Sequence, residues 1–201
     1  WHYQTVPGDT WDYTAVQQIQ LADIEWNGAP RKVLMQAPKN GFFYVLDRAT
    51  GELLSAEKFV RVNWASHVDA KTGRPVETAE GNYDTQPRWI LPSPNGGHLW
   101  HPMSYSPLTK LVYIPVRELP MLYALDPAFE TVPGAWNIGL DLRGYAALLA
   151  KHAAEMPPAW GELKAWDPVR QKAVWTVKHP GSFNGGVLST AGGLVFQGTS
   201  D

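Results

Sequence analysis

The sequence predicts an all-β fold: a β-propeller fragment with two complete four-stranded blades, two partial blades and one helical insertion. Three observations carry this. The 201 residues include 18 Gly, 17 Pro, 10 Trp and 8 Tyr, a mixture that suits short strands joined by tight turns rather than helical bundles. β-Branched runs recur in "RKVLMQAPKNG", "TKLVYIPVREL" and "GGLVFQGTSD", with cores starting near Val33, Val112 and Val195, roughly 80 residues apart, so a blade repeat needs long insertions. Finally, "YVLDRATGELLS" superimposes on "KAWDPVRQKAVW" at an offset of 120, matching Asp47 with Asp167. Each reads as strand, Asp-initiated turn, strand, because the Asp side chain can accept from its own downstream backbone and Thr50-Gly51 or Pro168 supplies the bend.

In chain order, residues 1–6 fall in the outermost strand of one blade, with Trp1 aligned to Trp175. The first full blade covers about 19–60, with strands near 19–25, 32–37, 42–47 and 52–60. Residues 61–100 are polar and rich in Gly and Pro, and read as an ordered surface excursion between blades. The second blade covers 101–178, with strands near 101–106, 111–116, 161–167 and 172–178 and an insertion at 117–160. Within that insertion, "IGLDLRGYAALLAKHAAEM" reads as a helix, since Ala146, Leu149, Ala150 and Ala153 recur at helical spacing before Pro157-Pro158. A last partial blade covers 186–201. Such a piece leaves sheet edges and inner faces uncovered, which implies self-association or a partner that supplies the missing blades.

Composition also narrows function. With 17 Lys plus Arg against 19 Asp plus Glu, the formal charge of -2 gives no footprint for nucleic acid or an anionic membrane, and a small neutral ligand fits better. The absence of cysteine removes disulfides, thiolate nucleophiles and thiolate-held metals. No apolar stretch is long enough to span a bilayer, and no signal-peptide pattern is present in the chain.

The candidate chemistry sits at the crossings between blades, where side chains from distant segments converge. In "PGDTWDY", Asp9 follows Pro-Gly and reads as a turn carboxylate. Asp12 lies between Trp11 and Tyr13, where partial desolvation would suit it to base chemistry; from the pattern alone both roles stay open for it. Lys39, in "APKNGFF", reads as a solvated hairpin lysine beside an Asn40-Gly41 turn. His98 and His101 are three apart but lack a third clustered ligand, which favours structural roles.

Taken together and in order, "WHYQTVPGDTWDY", "APKNGFFYVLDRATGELLSAEKF", "NWAS", "WHPMSYSP", "LKAWDPVRQKAVW" and "NGGVLSTAGGLVFQGTSD" resemble the pyrroloquinoline quinone (PQQ) dependent alcohol dehydrogenases, the quinohaemoprotein ethanol dehydrogenases most of all. The resemblance runs from Trp1 to Asp201 and covers part of that family's eight-bladed propeller. It implies a periplasmic oxidoreductase that takes a small alcohol to its aldehyde, uses PQQ and Ca²⁺, and passes electrons to a cytochrome c or another acceptor. A haem c would belong to a domain or partner outside this chain. Asp12 matches the family's catalytic base and calcium ligand, and Lys39 its quinone-binding cation. Trp100 and Asn184 match further cofactor-pocket positions.

Two positions depart from the family pattern. Leu99 stands where an Asn contacts the quinone, and Leu cannot donate a hydrogen bond. Phe183 stands where a Trp is usual. At Thr14 the lanthanide-using branch has an Asp, so the resemblance implies a calcium-type site. The family's remaining calcium ligands lie in blades outside this chain, so the chain alone is expected to be inactive. Two alternatives are a non-catalytic propeller module, and a PQQ dehydrogenase acting on a sugar, a polymer alcohol or an alkaloid.

Overall fold

A computed structural model describes residues 1–200, so Asp201, the last position of the expected final partial blade, lies outside it. Strands β1 (Gln20–Trp26), β2 (Ala29–Gln36), β3 (Phe42–Asp47) and β4 (Leu53–Lys58) form an antiparallel sheet in the order β1-β2-β3-β4. The β1–β2 hairpin turns on Asn27 and Gly28, whose positive φ values of 52° and 78° match the twist of paired strands. Asp47 begins the β3–β4 turn as its sequence suggests: Oδ1 accepts from Ala49 N (2.9 Å) and Thr50 N (3.1 Å).

Residues 61–100 are more than a surface excursion. They hold a hairpin of β5 (Ala65–Asp69) and β6 (Arg74–Glu77), and a short strand β7 (Arg88–Ile90). They also bury Trp64 and Ile90 completely, because the rings of Trp11, Tyr13 and Phe42 close around Trp64 at 4.7, 5.4 and 6.2 Å. The turn between β5 and β6 is a further Asp-led one, with Asp69 Oδ1 accepting from Lys71 N and Thr72 N.

The second sheet contains β8 (Ser104–Ser106) and β9 (Leu111–Glu118). The chain then leaves it for β10 (Met121–Tyr123), which pairs with β7, and for a helix α1 (Tyr145–Lys151). It returns as β11 (Trp160–Asp167) and β12 (Lys172–His179), giving the order β12-β11-β9-β8. Asp167 Oδ1 accepts from Val169 N and Arg170 N, both at 2.9 Å, which repeats the Asp47 turn. A last pair, β13 (Asn184–Ser189) and β14 (Val195–Thr199), forms a two-stranded sheet.

Three elements are shorter than their sequences suggest. Residues 1–6, matched to an outer blade strand, form no strand. The strand expected from residue 101 starts at Ser104, beyond Pro102, which has no N–H to donate to a ladder. Helix α1 spans seven residues, has no side-chain cap and buries none of its residues, so its apolar spacing does not mark a core face.

Alternation along β3 explains the core. Phe43 and Val45 point into one cluster with Val112, Ile114 and Trp166 of the second sheet, while Phe42 and Tyr44 point into another with Trp11, Tyr13, Trp64 and Tyr123. The first sheet is therefore covered on both faces, and the turn between β2 and β3 is anchored from both sides.

Candidate active site

Asp9 and Asp12, close neighbours in sequence, do different work. Asp9 Oδ1 accepts from Trp11 N (2.9 Å) and its Oδ2 from Tyr13 N (2.7 Å), so one carboxylate holds the backbone on both sides of Asp12. Burial pushes the Asp9 carboxyl above the usual range, and the two backbone donors pull it part of the way back. Trp11 and Tyr13 turn inward, where Trp11 Nε1 donates to Gly81 O (2.9 Å) and Tyr13 OH to Pro92 O (2.6 Å). Asp12, between these two buried rings, stays exposed.

Asp12 has φ +64°, a left-handed conformation that Asp tolerates better than most residues. Its side chain is 64 % exposed. The desolvation suggested by its aromatic neighbours does not reach it, because both rings are buried behind it.

Lys39 is not a solvated hairpin lysine. Its side chain is only 10 % exposed, and Nζ donates to Asp12 O (2.9 Å) and sits 3.3 Å from Asp12 Oδ1. Thr14 Oγ1 donates to the same Oδ1 (2.9 Å), which leaves Oδ2 without a partner among the described residues. The turn that carries Lys39 is fixed by Asn40, whose carbonyl accepts from Trp64 Nε1 (2.9 Å) and whose Nδ2 donates to Tyr44 OH (2.8 Å). The loop before His98 then closes over the lysine: Gly97 N donates to Lys39 O (3.0 Å). Gly96 makes this approach possible, since a Cβ there would lie 2.6 Å from Lys39 Cα.

Asp12 and Lys39 line a cavity of about 570 Å³. Thr10 and Trp11 line it beside them, and Pro94, Asn95 and Leu99 form a second side. The remaining wall is largely apolar and comes from the insertion: Met121, Tyr123, Trp136, Ile138, Leu140 and Leu142. Sequence reasoning did not single out that wall. Tyr123 also ties it to the motif, since its OH donates to Trp11 O (2.9 Å), and burial pushes its phenol well up.

Trp100 and Asn184 do not line this cavity. Trp100 is 64 % exposed and stacks on His101, with ring centroids 4.2 Å apart. Asn184 is buried, and its Nδ2 donates to Val116 O (2.7 Å) while Oδ1 finds no partner among the described residues. His98 is fully buried, its ring nitrogens 2.7 Å from Ala37 O and 2.6 Å from His101 O, so it joins the Lys39 turn to the Leu99 segment. Among the described residues there is no group of three His, Cys, Asp or Glu side chains.

The site suits one cofactor type and part of a metal shell. A nearly buried ammonium beside a largely apolar space lined by the rings of Trp11, Tyr123 and Trp136 fits an anionic aromatic ring system. Calcium takes about 6–8 oxygens, and Asp12 fits as one carboxylate donor among them.

The β-propeller domain family described as "Glucose/ethanol/alcohol dehydrogenase", of the PQQ type, matches residues 1–62. Quinohemoprotein alcohol dehydrogenase ADH IIB of Pseudomonas putida is 54% identical over the whole chain, which spans 28% of that protein. Structures of the Pseudomonas putida ADHIIG enzyme and of the Comamonas testosteroni quinohemoprotein alcohol dehydrogenase superpose with a TM-score of 0.88 each, at 46% and 45% identity, covering 100% of this chain and 30% of theirs. The chain belongs to the PQQ-dependent alcohol dehydrogenase family. It spans less than a third of the length of these family members, and its sheets match the propeller of solved ones. A europium-containing methanol dehydrogenase matches too, with a TM-score of 0.85 at 33% identity over 98% of this chain and 34% of that one. A 1-butanol dehydrogenase (cytochrome c) of Thauera butanivorans is 45% identical over the full chain and 29% of its own length.

Proposed function

We propose that this chain is the segment of a periplasmic PQQ-dependent alcohol dehydrogenase that supplies the proton acceptor and the quinone-side cation. The observation that carries the reading is the nearly buried Lys39 ammonium held against Asp12 in a largely apolar cavity. The quinone, when bound, supplies the hydride acceptor for oxidation of an alcohol to its aldehyde. Asp12 accepts the hydroxyl proton on Oδ2, since Oδ1 is already engaged by Thr14 and Lys39. Lys39 orients that carboxylate, and places positive charge where negative charge develops on a bound acceptor. The apolar wall excludes water from the alcohol carbon.

Asp12 also fits as a calcium ligand. Thr14, a neutral residue beside it, adds no second carboxylate, and a lower ligand charge suits a divalent ion better than a trivalent one. Electrons would then pass to a cytochrome c or to a haem c elsewhere in the full-length protein, an acceptor type that the name of the Thauera butanivorans relative supports.

The test is Asp12→Asn in the full-length protein, reconstituted with PQQ and Ca²⁺ and assayed by dye reduction over an alcohol panel. Turnover should fall by about 10²–10⁴ fold, the usual worth of a positioned general base, with the fold retained. Undiminished turnover would refute the base assignment.

A further inference from the structure

The left-handed backbone at Asp12 is held from both sides. A residue other than glycine keeps a φ of +64° only where its surroundings fix it. Its φ and ψ are set by the two rigid peptide planes that flank it. The plane after Asp12 is held at both polar atoms: Lys39 Nζ donates to Asp12 O (2.9 Å), and Tyr13 N donates to Asp9 Oδ2 (2.7 Å). The plane before it is held at its carbonyl, where Tyr123 OH donates to Trp11 O (2.9 Å).

The fold delivers Tyr123 to this carbonyl. It ends β10, is 2% exposed, and packs against Tyr83 with ring centroids 5.1 Å apart. Tyr83 OH in turn donates to Thr10 O, one peptide unit further from Asp12. Two phenols, one from the 61–100 segment and one from the insertion, thus take consecutive carbonyls of the motif. A phenol stays protonated, and so stays a donor, near neutral pH, and burial pushes Tyr123 further up. The Tyr123 ring also lines the cavity, so one residue both walls that space and braces the backbone of Asp12.

We propose that Tyr123 is a positioning residue for the proton acceptor. Its hydroxyl fixes the peptide plane before Asp12, as Lys39 and Asp9 fix the plane after it, and together they set the direction in which the carboxylate leaves the backbone. The proposal rests on the reading of Asp12 as the base. The hydroxyl acts through Asp12 and not on the substrate.

The test uses the full-length protein, reconstituted with PQQ and Ca²⁺ for kinetics, with Tyr123→Phe, Tyr83→Phe, Asp12→Asn and the double variant of Tyr123→Phe with Asp12→Asn. Tyr123→Phe keeps the ring in the wall and should lower kcat about tenfold, with KM for ethanol within about twofold, since only the aim of the base is lost. Hydrogen exchange of the protein without cofactor, read by mass spectrometry on the peptide that spans the motif, should quicken in this variant. Tyr83→Phe loses an equivalent bond and should lower Tm as much, with a smaller loss of kcat. In the Asp12→Asn background, Tyr123→Phe should change the residual rate by less than about twofold, because the residue it aims is already disabled. Equal fold losses in both backgrounds, or a loss from Tyr83→Phe as large as that from Tyr123→Phe, would overturn the proposal in favour of a general loosening of the core. So would unchanged kcat or unchanged exchange in Tyr123→Phe. Full turnover in Asp12→Asn alone would instead refute the base reading, a result separate from the exchange measurement, which still tests whether Tyr123 holds the backbone at Asp12.

Discussion

Between the first four-stranded sheet and the second, the strand order, the antiparallel pairing and the Asp-led outer hairpin are alike, while the link between the second and third strands differs. In the first sheet that link is residues 37–41, and it carries Lys39. In the second it is residues 119–159, and it carries Tyr123, Trp136, Ile138, Leu140 and Leu142. Both links reach the same cavity. The short one delivers a charge held rigidly by packing, and the long one delivers an apolar wall. The sheets thus serve as a frame whose equivalent loops have diverged in length and chemistry.

The largest effect should come from the frame. Phe43 is fully buried between the sheets, 5.9 Å from the Trp166 ring, and Phe43→Ala should cost about 3–5 kcal/mol. Urea unfolding of the full-length protein measures this. A loss below about 1 kcal/mol, typical of lightly packed positions, would mean that contact between the sheets does not hold the Lys39 turn in place.

A pH effect should come next, from the joint between the short link and the Leu99 segment. Burial pushes the His98 imidazole from 6.5 down to about 4, so the ring is neutral in the folded state. The unfolded chain takes up a proton first as pH falls. Stability from His98 is therefore complete above pH 6.5 and is lost between 6.5 and about 4, by up to about 3 kcal/mol. Denaturation midpoints measured across this range should drop steeply in wild type and less in His98→Gln. Parallel curves would show that the ring is charged in the fold and donates to both carbonyls.

Much of the frame was legible in the sequence because it repeats. The Asp47 and Asp167 turns share a local chemistry that does not depend on tertiary context, and the strands beside them follow a period of two. The same cue lay unread in "HVDAKTGR", where Asp69 starts the β5–β6 turn as Asp47 starts its own. The site was legible only in part. The contact between Asp12 and Lys39, 27 residues apart, depends on how the crossing meets the next blade. The exposure of Asp12 ran against its aromatic neighbours because the chain is left-handed at Asp12, with both rings buried in the core and the carboxylate outside it. The cavity wall had no periodic signal at all: Trp136, Ile138, Leu140 and Leu142 lie in irregular chain, and only the closed fold brings them to Asp12.

The clamp on Asp12 predicts a smaller change. Asp9→Ala removes the acceptor of both Trp11 N and Tyr13 N, which should cost about 1–3 kcal/mol of stability. Turnover should fall further than that loss explains, because the backbone that aims Asp12 is released. Asp9→Asn, which keeps one acceptor oxygen, should lie between the two.

The smallest stability effect should come from the long link, and it separates the roles of the two links most cleanly. Trp136 is 83 % exposed yet lines the cavity. Trp136→Ala should change stability by no more than about 0.5 kcal/mol, as for most surface positions. Removing an indole from the wall should still lower kcat/KM for bulky apolar alcohols relative to ethanol, because it takes contact area from the larger substrate alone. The comparison therefore needs both readouts on one variant: a thermal melt and a panel of alcohols of increasing size. A loss of stability matching that of Phe43→Ala would make the insertion part of the frame. An unchanged substrate ratio would remove Trp136 from the cavity's working wall and leave the charged pair on the short link as the cavity's functional contribution.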